Sequence, residues 1–298
     1  MPKQTIFISA PCKLRVHQNS LSIESKGREV KIPLEDIWVV VIESLETTIT
    51  TRALSELCEA GIGTLLCGTT HMPVGLTLPI AAHSRHAAIV ENQLLIPKPL
   101  NKRMWQAIVR QKIKNQATVL SLCGLEKSND LEKLAKSVLS GDSNGREAVA
   151  ASIYFREIAP NGGRRDSELT PLLDYGYAII RAGIARCAVA GGWLVSRGIH
   201  HCSDLNAFNL VDDLIEPFRP IVDLIVLQVL EKPILDTKAK GELTAVFSYL
   251  VEIDGASYTV QAAIEELLDS FKRTVLSSDY SKLRLPTVIP LEKWNGEE

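Results

Sequence analysis

Residues 73–97 read PVGLTLPIAAHSRHAAIVENQLLIP, and within them the apolar period changes. Up to Leu78 apolar and polar residues alternate, which places successive side chains on opposite faces of a strand. From about Ser84 the apolar residues recur at the 3.6-residue spacing of a helix and keep it. Upstream, TIFISAP, KLRVHQNSLSIES and REVKIPLEDIWVVVIES read as short strands or hairpins, with a turn at Gln18-Asn19-Ser20 where Asn tolerates left-handed backbone. One helix, TTRALSELCEAGI, interrupts them and ends near Gly61. GTLLCG then returns to strand character.

Downstream, AAIVENQLLIP, a long segment from Asn101 to about Leu122, SNDLEKLAKSVLSG and GREAVAASIYFREI all have helical spacing. PLLDYGYAIIRAGIARCAVAGGWLVSRG and SYTVQAAIEELLDSFKRTVL follow the same rule. Asn129 suits an N-cap, Pro171 suits a first helical turn, and Pro97 with Pro99 bracket a break. The reading predicts an α+β protein. A small β-rich domain over residues 1–82, sandwich-like with one helix, precedes a larger all-α domain over residues 83–298.

An apolar content of 46% with 23% charged residues belongs to a soluble globular chain. The start MPKQTIFISAPCK breaks its apolar run at Pro11 and Lys13, unlike a signal peptide. The apolar stretches 177–195 and 221–230 are interrupted by arginine or too short to span a bilayer. A cytoplasmic protein with no membrane contact is expected. Six cysteines without a C-x-x-C pair read as reduced thiols, mostly small core residues, with Cys202 read as a buried thiol. No P-loop, H-E-x-x-H, G-x-S-x-G or zinc-deaminase pattern is present.

The net charge of −2 excludes a chain that coats nucleic acid with its whole surface, but its distribution is uneven. Between Asn92 and Leu125 there is no acidic residue, while Lys98, Lys102, Arg103, Arg110, Lys112 and Lys114 fall in the same window. Such a one-sided run is a candidate phosphate-binding surface, or a basic face serving solubility alone.

Chemistry concentrates in residues 198–220, GIHHCSDLNAFNLVDDLIEPFRP. On a helix from about Ala207, Glu216 stands four residues from Asp212 and three from Asp213, so it shares a face with one or both. Pro217 breaks the helix there and can splay a carboxylate toward a ligand. The alternative is a helix boundary with acids in water. Glu147 opens the apolar helix of GREAVAASIYF behind Arg146; it is a second acidic candidate, or a residue that complements the helix dipole. One imidazole and two carboxylates suit Mg²⁺ or Mn²⁺ with positions left for water or phosphate oxygen. Arg219 can orient Glu216 or merely brace the kink. Tyr154, two turns beyond Glu147, can approach DNA or pack. His83, Arg85 and His86 sit at the domain junction, to touch phosphate or to serve structure.

The β-rich start, NGREAVAASIYF, LDYGYAIIRAGIARC and GIHHCSDLNAFNLVDDLIEPFRPIVD together resemble the CRISPR adaptation integrase and endonuclease (Cas-one) family. The most specific piece is D-L-x-E-x-F-R-P at residues 213–220. Pro217 and the N-x-F-N-L run at 206–210 are similar to the type II lineage. The resemblance implies a metal-dependent DNA endonuclease and integrase of antiviral defence that inserts spacers into a CRISPR array. A DNA 3′-hydroxyl attacks a phosphodiester directly, so no serine or cysteine nucleophile is needed. It further implies Glu147, His201 and Glu216 as catalytic metal ligands, His201 rather than His200 by its spacing to Glu216, with Asp213 supporting; on this reading Arg219 is a supporting residue by its chemistry, and Asp212 and His200 are bystanders. A homodimer formed through the β-rich domain, double-stranded DNA, a small second CRISPR-associated protein and type II accessory adaptation proteins are the implied partners. The charge pattern adds Lys98, Lys102, Arg103, Arg110, Lys112 and Lys114 as DNA-contact candidates, and Arg146 and Tyr154 join them by their places on the helix of Glu147. Two other functions fit the same residues: a stand-alone nuclease for branched DNA in repair, and a DNA-binding scaffold whose acids only stabilise helix ends.

Overall fold

The computed structural model describes residues 3–79, 83–161 and 163–294. The early alternation forms β1 (Gln4–Ile8), β2 (Lys13–His17), β3 (Ser20–Ser25), β4 (Arg28–Pro33), β5 (Ile37–Ile42) and β6 (Thr48–Ile49). Helix α1 (Thr51–Glu59) precedes β7 (Gly63–Cys67) and β8 (Pro73–Thr77). These strands make two four-stranded sheets, ordered β1-β5-β7-β8 and β4-β3-β2-β6. Gln18 and Asn19 both take positive φ (48° and 57°) in the β2–β3 hairpin, as a two-residue turn matched to strand twist requires.

Strand β5, IWVVVI, is buried along its whole length because its sheet is covered on both sides. Ile37, Val40 and Ile42 join Leu14, Leu21 and Leu57 in a core inside the β-rich part. Trp38, Val39 and Val41 join the core of the helices. Trp38 Nε1 donates to Glu265 Oε1 at 2.8 Å, and its ring meets Phe247 edge-on at 4.6 Å. This contact needs Gly183, where a Cβ would lie 2.7 Å from Phe247 and 2.8 Å from Trp38. The β-rich and helical parts therefore share apolar contact along one sheet face. The boundary between residues 82 and 83 adjoins residues 80–82, which lie outside the described residues.

The helices are α2 (His86–Leu94), α3 (Lys98–Leu122), α4 (Ser128–Ser137), α5 (Arg146–Ile158), the single turn α6 (Gly163–Asp166) and α7 (Thr170–Ala190). They continue with α8 (Asn209–Leu214), α9 (Arg219–Gln228), α10 (Thr237–Thr244) and α11 (Val260–Ser277). Two expectations need correction. The helical part is not purely α: β9 (Leu250–Ile253) and β10 (Ala256–Thr259) form an antiparallel hairpin. Its turn is Asp254-Gly255, both at positive φ, the dipeptide such turns prefer. Asn129 is not a cap but lies inside α4, which starts one residue earlier at Ser128, whose hydroxyl donates to the Ala117 carbonyl. Among the described residues no helix is long and apolar enough to cross a membrane.

Candidate active site

Glu147 and Glu216, 69 residues apart in the chain, meet across one side chain of α3. Asp142 precedes α5 and accepts the free first-turn amides of Arg146 (2.8 Å) and Glu147 (3.1 Å), which fixes the helix start that carries Glu147. Glu216 lies in the bend between α8 and α9, where Pro217 stops the helix as its ring requires. The freed Pro217 carbonyl is satisfied by the buried Asn115 amide of α3 at 2.7 Å, and the same amide reaches the Pro286 carbonyl at 2.9 Å. The kink is thus a built feature.

Lys112 Nζ stands 2.6 Å from Glu147 Oε1 and 2.5 Å from Glu216 Oε2. Its side chain is only 11% exposed, so Lys112 is no part of an open DNA-binding surface. Arg219 Nε donates to Glu216 Oε1 at 2.9 Å, and its guanidinium lies 4.7 Å over the Tyr177 ring. Burial works to raise the Glu216 pKa, but Lys112 and Arg219 outweigh it and hold the carboxyl at about 2. Burial likewise works against the Lys112 ammonium, and the two carboxylates raise its pKa overall.

Asp213 is fully buried and accepts the backbone amides of Ile199 (2.5 Å), His200 (2.9 Å) and His201 (3.1 Å). Its Oδ1 also lies 2.7 Å from His201 Nδ1, which leaves Nε2 as the ring's available ligand atom. That hydrogen bond raises the His201 pKa against the opposing effect of burial. Gly198 is required here, since a Cβ would lie 2.4 Å from the His201 carbonyl and 2.6 Å from Asp213 Oδ2. His200 instead stacks on Trp105, centroids 4.3 Å apart and planes 3° from parallel. Asp212 is engaged elsewhere, paired with both Nε and Nη2 of Arg181 at 2.6 and 3.0 Å. The N-x-F-N-L run is a loop staple: Asn209 Nδ2 donates to the carbonyls of Ser196, Ser203 and Asn206.

The basic run divides around α3. Lys98 and Lys102 line a cavity of about 650 Å³ that His200 and His201 also border. Arg103, Arg110 and Lys114 line another of about 610 Å³ with Tyr280 and Thr287. Arg110 Nη2 donates to the Val138 carbonyl, while its Nε and that of Arg146 are buried without partners. Tyr154 is 0% exposed and cannot approach DNA; its hydroxyl donates to Asp223 Oδ2 at 2.8 Å. Cys202 is exposed on the rim of the larger cavity, not buried. His86 Nδ1 meets the Gly192 carbonyl at 2.9 Å, a structural contact.

Asp223 is a buried acid that the sequence reading missed, although it lies one turn after Arg219. Tyr177 and Tyr154 hydroxyls donate to its two oxygens, yet burial dominates and pushes its carboxyl up to about 6. The fold therefore holds a proton that the unfolded chain has released above pH ~4. Its stabilising contribution is full below the unfolded pKa and lost as pH rises through about 6. Asp223→Asn is expected to remove a decline on the order of 3 kcal/mol between about pH 4 and pH 7, read by urea unfolding. Identical pH profiles for variant and wild type would reject this assignment.

The donor set fits a divalent ion in charge and type. Two carboxylates already share one cation, and buried Glu216 Oε2 faces Lys112 outside hydrogen-bond geometry, leaving it without a donor. Among the described residues, however, no three His, Cys, Asp or Glu side chains converge closely enough to hold an ion as they stand.

The fold defines a class first: this arrangement of an N-terminal pair of sheets and a helical part superposes on solved structures of a casposase and of a Cas1–Cas2 complex. A casposase bound to integration product superposes with a TM-score of 0.75 at 18% identity, over 95% of this chain and 94% of the other. A chain of a Cas6-RT-Cas1–Cas2 complex gives 0.73 at 17% identity, over 99% of this chain and 36% of that one. The family model described as "CRISPR associated protein Cas1" matches residues 6–246, and the chain belongs to that family. The CRISPR-associated endonuclease Cas1 of Neisseria meningitidis serogroup C (strain 8013) is 38% identical over 304 residues, covering both chains completely.

Proposed function

We propose that the protein is a metal-dependent DNA endonuclease and integrase that inserts short foreign DNA segments into a CRISPR array. The observation that carries this reading is the convergence of Glu147 and Glu216 on a single cation, beside a His201 braced by Asp213. Mg²⁺ or Mn²⁺ would be held by Glu147, Glu216 and His201 Nε2, and would supply stabilisation of charge on the attacked phosphate. Arg219 fixes the rotamer of Glu216, and Asp213 fixes both the loop and the tautomer of His201. Lys98 and Lys102 place positive charge on the cavity that His201 borders, where a DNA backbone would lie. Arg103, Arg110 and Lys114 offer a second contact on the other side of α3.

The named activity of the Neisseria relative supports an endonuclease, and the casposase bound to integration product supports strand transfer. The Cas1–Cas2 complexes among the structural neighbours support a small second CRISPR-associated protein as partner. A homodimer through the β-rich domain, type II accessory proteins and a cytoplasmic location complete the proposal.

The test incubates the protein and its small partner with a short duplex bearing free 3′-hydroxyls, an array plasmid and Mn²⁺. Half-site products that vanish on chelation and return with Mn²⁺ are expected. Products or DNA-dependent activity that chelation leaves unchanged would favour a metal-independent scaffold and reject the proposal.

A further inference from the structure

Lys112 is a charged side chain from the middle of α3, placed between the two carboxylates that the proposed function assigns to the ion. Taking an ammonium out of water is costly unless it is paired on arrival. Two adjacent carboxylates without a cation repel each other just as strongly. The arrangement solves both problems at once, because each Glu presents one oxygen to the same Nζ at 2.5–2.6 Å. Arg219 does not duplicate it, since its bond goes to the other oxygen of Glu216.

The carboxylates that would hold a divalent ion are the two that Nζ now stands between, with Glu147 Oε1 at 2.6 Å and Glu216 Oε2 at 2.5 Å. An ion centred where Nζ now stands and the ammonium itself exclude each other, by volume and by like charge. We infer that Lys112 is a resident cation: together with Arg219 it balances the two carboxylates of the metal-free site, and its Nζ must leave the place between them for Glu147 and Glu216 to hold a divalent ion. This inference rests on the metal site of the proposed function. It also fits the lack of a ready three-donor site among the described residues, since Nζ fills the place between the two carboxylates. Once released, the ammonium keeps its charge and is free to pair with a DNA phosphate.

The test uses the full-length protein without DNA and has two arms. In the first, wild-type protein is reductively methylated with and without Mn²⁺, and labelling of Lys112 is followed by mass spectrometry. Mn²⁺ is expected to speed it by about tenfold or more, within the roughly 5–150-fold range typical of coupled equilibria. In the second, Mn²⁺ affinity is measured by electron paramagnetic resonance for wild type, Lys112→Met and Lys112→Arg. Lys112→Met should bind about tenfold tighter, and Lys112→Arg no tighter than wild type. If Mn²⁺ binds but Lys112 stays equally protected and Lys112→Met gains nothing, the inference is overturned while the ion site stands. If neither wild type nor Lys112→Met binds Mn²⁺, the metal site fails and the inference fails with it. The labelling arm needs no variant, so a poorly folding Lys112→Met still leaves a decision.

Discussion

Glu147→Gln and Glu216→Gln should each reduce strand transfer by about a thousandfold or more, the scale of losing charge stabilisation at a phosphoryl centre. Glutamine keeps the shape of each side chain and removes the negative charge that gathers a cation. The consequences for folding differ between the two sites. Glu147 stands at a helix start and is partly exposed, so its loss should lower the thermal transition less than the loss of Glu216, although it too pairs with buried Lys112. Glu216 is buried and holds Lys112 and Arg219 together, so its loss should lower stability as well. Half-site integration measured beside Mn²⁺ affinity separates the two effects. A Glu147→Gln protein that keeps full activity would remove Glu147 from the site.

Asp213→Ala is the substitution expected to cost most in structure. It deletes the acceptor of three consecutive backbone amides and the partner of the His201 ring. The orphaned amides cannot all find water, because the carboxylate they face is fully buried. A loss of about 3–5 kcal/mol is expected, the range for breaking a buried charged network. Activity should fall by about a hundredfold even below the melting temperature, since the ring is no longer oriented. Hydrogen exchange across residues 196–206 should rise in step. A variant that keeps wild-type melting and protection there would show that the loop is held by Asn209 alone.

What the sequence disclosed follows from how local each signal is. The change of period near Ser84, the Gln18-Asn19 turn and the break at Pro217 are written within a few residues, and each forms as read. The Asp254-Gly255 hairpin was equally local and was lost only because long helices surround it. The partners of Lys112 were not legible: they lie 35 and 104 residues away, and the helix that carries it has no acid to hint at burial. Tyr154 shows the limit of face arguments, since two turns along one face lead from the mouth of the site into the core. Asp142 did carry a readable signal, an acid shortly before a helix start, that would have explained how Glu147 is placed.

The most direct test is a crystal structure of the protein with Mn²⁺ bound, the ion located by its anomalous scattering. The account predicts one ion held by Glu147, Glu216 and His201 Nε2, with Lys112 swung away from both carboxylates. An ion on His200, or an ion elsewhere with Lys112 still bridging Glu147 and Glu216, would contradict it.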